Sequence, residues 1–189
     1  MYLFSDLQDD IMSFWDENIL ASAIEPYIVA NNITTVCYYI IYQDISLNLP
    51  PLQILTFDLE GISSHLNHKS LPRGVQRLLS SWTAKYRRPA PRIFVLITVP
   101  LVQKYLGPLA ALLAKFDFAT ITLLQYFGSP PDAFHGGKPL SVFVSGAQDY
   151  LIALKAMMQH RSQLVWFRWL YIAFSRYMWV NEWMEILPA

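Results

Sequence analysis

The chain of 189 residues has one cysteine, Cys37. No internal disulfide can form, and a thiol inside an apolar, β-branched run reads as a small buried hydrophobe. Glycine is scarce, at 7. The phosphate-cradling pattern G-x-x-x-x-G-K-[ST] is missing, and His135-Gly136-Gly137-Lys138 reads as a surface turn. Charged residues are only 15%, against roughly 25% in ordinary soluble domains. That charge is segregated. Residues 1–68 carry nine acids and no Lys or Arg, whereas residues 69–115 carry nine bases and no acid.

Long uninterrupted apolar runs are also missing. Residues 164–180 are the most apolar helical stretch, but Arg168, Ser175 and Arg176 break it. A membrane span needs about 20 apolar residues, so no span is expected. The N-terminus is acidic and does not read as a signal peptide. Cytoplasmic or nuclear localisation is expected from these features.

What is present is apolar: 54% of residues. Such an excess needs a large core, a permanent interface or a membrane surface. Ser5 and Gln8 read as a capping box for an acidic N-terminal helix, which Pro26 breaks. Residues 33–42 and 52–58 read as strands, either side of a turn, and could form a hairpin. Residues 61–70 are polar and irregular. Then Val75, Leu78, Leu79, Trp82 and Tyr86 mark the apolar face of a basic helix. Residues 92–99 form an apolar strand with no alternation, hence buried on both faces. A helix over 101–115, kinked at Gly107-Pro108, leads to a strand at 118–126, and the two strands should pair in parallel. A strand at 140–145, a helix to about Ser162 and an aromatic-rich helix over 164–187 complete the chain.

The expected fold is a single three-layer α/β domain over residues 1–189, with a mixed, partly parallel sheet. Its order resembles RecA-like or Rossmann-like subunits without the nucleotide motif.

Several residue sets carry possible chemistry. Asp58 and Glu60, at the end of LQILTFDLEG, fall on one face of an alternating strand and could hold a divalent metal. This run resembles the first acidic motif of the DEDD exonucleases, which implies a metal-dependent nuclease. That family's His or Tyr ahead of the last acid has no counterpart before Asp149. The segment SLPRGVQRLLSSW resembles the opening of an F-box, although Arg73-Gly74 replaces the expected acid. His65 and His68 lie three apart but have no acid or Cys close in sequence, so a surface loop is expected. The stripe Arg73, Arg77, Lys85, Arg87 and Arg88 could track a phosphate backbone, or it could meet the acids upstream.

The reading favoured by these observations is a non-enzymatic assembly subunit of an obligate complex. Its expected protein-binding surface is the C-terminal aromatic set Trp166, Trp169, Tyr177, Trp179 and Trp183. The alternatives are a nucleic-acid-binding module using residues 73–88, and a nuclease using Asp58 and Glu60. No cofactor and no resident metal are expected.

Overall fold

The structure is a computed structural model that describes residues 7, 12–30, 35–37, 40–41, 53–86, 91–127, 140–159 and 164–186. It is α/β with a mixed sheet, as expected. The chain divides into two compact units, residues 1–98 with 184–189, and residues 99–183.

The first unit holds helix α1 (Glu17–Ala30), strands β1 (Thr35–Cys37), β2 (Ile40–Ile41) and β3 (Gln53–Phe57), helix α2 (Leu66–Tyr86) and strand β4 (Arg92–Leu96). Its strands lie in the order β2-β1-β3-β4. β1 and β2 are antiparallel, and Cys37 faces Ile40 in register. β1 runs parallel to β3, so residues 33–42 and 52–58 do not form the anticipated hairpin. β3 runs parallel to β4 with Gln53 opposite Arg92 and Phe57 opposite Leu96. The parallel β-α-β unit is therefore β3-α2-β4, one step earlier in the chain than expected.

α2 forms where the apolar spacing placed it. Val75, Leu78, Leu79 and Trp82 are buried and pack with Ile54, Ile93 and Val95. It begins at Leu66, inside the segment expected to be irregular, and Pro72 lies within it. α1 begins at Glu17, after residues 13–16, which are not helical. Asp16 opens it, its Oδ1 accepting from the N–H groups of Asn18 at 2.8 Å and Ile19 at 3.1 Å. These bonds hold the Asp16 carboxyl below the usual carboxylate range. The expected Ser5–Gln8 box lies outside the described residues. α1 continues through Pro26. It crosses α2 closely: a Cβ added to Gly74 would lie 2.7 Å from the Leu20 Cβ, and Leu20 is fully buried.

The second unit holds α3 (Leu101–Lys104), α4 (Pro108–Tyr126), β5 (Leu140–Val144), α5 (Ala147–Gln159), α6 (Trp166–Phe174) and a 3₁₀ turn (Arg176–Met178). It also holds the first part of β6 (Val180–Ile186), beside β5. Two expectations fail here. Residues 118–126 are not a strand but the second half of α4. Their threonines are accommodated helically, Thr120 donating to the Asp117 carbonyl and Thr122 to the Phe118 carbonyl, both at 2.8 Å. The helix expected over 164–187 stops at Phe174. Ser175 takes extended backbone angles, its hydroxyl accepts from the Tyr177 N–H, and β6 follows the 3₁₀ turn. The core of this unit is Ala110, Ala111 and Val180, with Trp179 and Val144 against it.

Candidate functional site

Parallel strands leave a crevice beyond their carboxyl ends, where ligands of α/β proteins commonly bind. β3 and β4 end here at Phe57 and Leu96. Asp58 follows β3 and acts as the hub of the turn. Its Oδ1 accepts from the Glu60 N–H at 3.1 Å, the Gly61 N–H at 3.0 Å and the Thr98 hydroxyl at 2.6 Å. Its Oδ2 accepts from the Thr98 N–H at 2.6 Å. Thr98 in turn accepts from the Ile62 N–H at 2.9 Å.

The turn is strained. Gly61, Ile62 and Ser64 all have positive φ, at 66°, 59° and 62°. For β-branched Ile62 this conformation is costly, and such strain clusters at functional sites. Its consequence is to fold the chain back onto the start of α2. A Cβ on Gly61 would lie 2.9 Å from the His68 Cβ.

His68, in the first turn of α2, is held from three sides. Its Nδ1 lies 2.8 Å from the Ser63 hydroxyl and 3.2 Å from the Gly61 carbonyl. Its ring lies 5.0 Å from Phe57 and 5.3 Å from His65, centroid to centroid. In the tautomer whose Nδ1–H donates to the Gly61 carbonyl, Nε2 is the basic nitrogen of the ring. Buried Asn67 accepts from the His68 N–H at 2.9 Å through Oδ1, and its carbonyl accepts from Ser70 at 2.6 Å. The arrangement offers two partly buried imidazoles on a rigid rim. They are a partial metal-ligand set, but among the described residues no group of three His, Cys, Asp or Glu comes together.

This corrects two expectations. Asp58 and Glu60 do not share a strand face: Asp58 is consumed by the turn and Glu60 is exposed. His65 and His68 are not on a detached surface loop. They stand beside an acid-anchored turn, and the signal that sequence reasoning passed over is the spacing of His65 and His68 directly after Asp58-x-x-Gly61.

The basic stripe meets acids and amides of its own unit. Lys85 pairs with Glu25 at 2.8 Å, and Tyr86 donates to the same carboxylate at 2.8 Å. Lys85 holds the Glu25 carboxyl below its usual range. Arg77 donates to the Asn18 side chain at 2.8 Å, and Arg73 lies over the Phe14 ring. Arg87 and Arg88 lie outside the described residues. Of the aromatic set, Trp166 and Trp169 are exposed. Trp179 stacks on Tyr150 at 4.6 Å, and the Tyr177 hydroxyl accepts from the Val99 N–H at 3.1 Å. Trp183 is half-buried in β6. A separate cleft of about 680 Å³ lies within the second unit, with mainly apolar walls and the Arg176–Glu182 ion pair in its lining.

Comparison with known proteins bears on the activity. The chain is 30% identical to the N-acetylglucosaminyl-phosphatidylinositol de-N-acetylase of Arthroderma benhamiae, with 94% of this chain and 57% of that protein aligned. It is 29% identical to the Saccharomyces cerevisiae protein of the same name, over 94% of this chain and 56% of that protein. The Bos taurus protein is 31% identical, over 94% of this chain and 54% of its own length. The chain thus spans about half the length of the curated relatives it matches. No family model matches, and no solved structure matches.

These relatives overturn the leading expectation. They are named as enzymes, so the non-enzymatic assembly subunit, the scaffold role and both alternatives, nucleic-acid module and nuclease, are withdrawn. The expectation of cytoplasmic or nuclear localisation goes with them: the relatives are named for a phosphatidylinositol glycolipid, whose acyl chains reside in a membrane. No helix among the described residues is long and apolar enough to cross a membrane.

Proposed function

We propose that this chain supplies the histidine-bearing part of a hydrolase that removes the acetyl group from N-acetylglucosaminyl-phosphatidylinositol. The observation that carries this reading is the shared name of relatives aligned over 94% of the chain. The site between β3 and α2 supports it chemically. Amide hydrolysis needs a base to take a proton from water and an acid to protonate the departing amine. In this reading His68, whose Nδ1 lies against Ser63 and Gly61, takes that proton through Nε2. Hydroxide then adds to the acetyl carbonyl carbon, the carbon–nitrogen bond breaks, and acetate and a free amine leave. The proton returned to the amine comes from the His68 or His65 imidazolium. Asp58 acts as a positioning residue through the turn.

The test is chromatographic detection of the free-amine glycolipid, with the chain alone and co-expressed with the remaining segment of a relative. His68→Gln should lower turnover by about 10²–10⁴-fold, the usual span for a general base. Unchanged turnover in His65→Gln/His68→Gln, or no product from the wild type in either format, rejects the reading.

A further inference from the structure

Helix α4 has its polarity reversed. The positions Leu109, Leu112, Leu113, Phe116, Leu123 and Leu124 recur at helical spacing and form one continuous stripe, and all are exposed. Leu112 is 65% exposed and Phe116 66%. The face turned into the protein carries small Ala110 and Ala111. Thr120 and Thr122 do not make the helix polar, because their hydroxyls are engaged by carbonyls of α4 itself. Helix α6 repeats the pattern: Trp166, Trp169, Leu170 and Ala173 follow one another at i, i+3, i+4 and i+7 and are exposed. The α4 stripe starts and the α6 stripe ends at a shared joint, where the Gly107 N–H donates to the Phe174 carbonyl at 2.8 Å.

We infer that these stripes seat the second unit in the surface of a bilayer containing anionic phosphoinositides, with α4 and α6 lying in the interface and not crossing it. The inference rests on the proposed glycolipid substrate, and two observations favour lipid over a protein occupant. The first is charge. Residues 99–183 carry seven Lys and Arg against four Asp and Glu, whereas the rest of the chain carries seven against ten. The net positive sign therefore belongs to the unit with the apolar stripes, as attraction to anionic headgroups requires. The second is composition. The stripes are built of Leu, Phe and Trp, and Trp166 lies at one end as an interfacial aromatic. Lys115 and Asp117, mid-way along α4, suit a helix lying in the interface rather than one crossing it.

The test is flotation of the full chain with phosphatidylcholine vesicles, with and without phosphatidylinositol. The wild type should float, more strongly with phosphatidylinositol, with a blue shift of tryptophan emission. Leu112→Glu/Phe116→Glu should reduce partitioning about tenfold or more while leaving the circular dichroism spectrum unchanged. Val29→Glu, at an exposed position of α1, should float like the wild type. Absence of flotation, undiminished flotation of the double variant, or a dimer in sedimentation that the double variant splits would each overturn the inference. Turnover is measured separately on a soluble analogue lacking acyl chains. Turnover without flotation removes the docking surface and leaves the enzyme, whereas flotation without turnover of either substrate does the reverse.

Discussion

Asp58 and Thr98 are joined twice, Oδ2 to the Thr98 N–H and Oδ1 to its hydroxyl, both at 2.6 Å. This bond pair ties the end of β3 to the residues after β4 and sets the starting point of the turn that carries His65 and His68. Removing the carboxylate in Asp58→Ala takes the acceptor from the Thr98 and Glu60 N–H groups and the Thr98 hydroxyl, whereas the Gly61 N–H keeps the carbonyl of residue 58. A loss of about 2–3 kcal/mol is expected, read from chemical denaturation. Turnover should fall further than stability explains, because His68 loses its register.

Gly61→Ala tests the fold-back directly. At φ 66° a side chain is strained, and the new Cβ would sit 2.9 Å from the Cβ of His68. The expected cost is about 1–3 kcal/mol. Replacing exposed Glu60 by Ala should cost much less. Thermal unfolding of the pair separates a required turn from a tolerant loop.

Leu20 and Gly74 mark the closest approach of α1 and α2. Leu20→Ala should destabilise by about 2–5 kcal/mol through the cavity it leaves. Gly74→Val should destabilise as well, by forcing the helices apart. Equal stability of Gly74→Val and the wild type in urea would refute the close packing.

The Glu25–Lys85 pair predicts an acid-sensitive contribution. Lys85, then Tyr86, hydrogen-bonds the Glu25 carboxylate and lowers its folded pKa below the ordinary 4.5. A depressed carboxylate stabilises the fold above its unfolded pKa, and that stability disappears as pH falls through the folded value. Glu25→Gln should therefore lower the melting temperature at neutral pH. The difference should shrink below about pH 4.5 and vanish in stronger acid. A difference independent of pH would count against the pair. Salt should weaken it too, since Lys85 is exposed.

The sequence by itself determined the inward face of α2. Val75, Leu78, Leu79 and Trp82 had only one way to be buried together at helical spacing, and they are buried. It also determined that β3 and β4 are strands, although β4 ends at Leu96 and its Phe94 is only half-buried, so it is not buried on both faces throughout. It did not determine the state of residues 118–126, because β-branched Ile121 and two threonines favour a strand locally. The continuous run from Pro108 and the internally bonded hydroxyls favour the helix instead. Nor did it reveal the partners of the basic stripe, since Glu25 and Lys85 are sixty residues apart and only the α1–α2 packing brings them together. The candidate site belongs to the same class. Asp58, Gly61, His65 and His68 stand in order in the chain, but spacing alone reads as a polar loop. Three left-handed residues within four positions, Gly61, Ile62 and Ser64, two of them not glycine, turn that loop back onto α2. Backbone strain of that kind is held by the surrounding tertiary contacts, so only the folded structure could place the two imidazoles beside the acid-anchored turn.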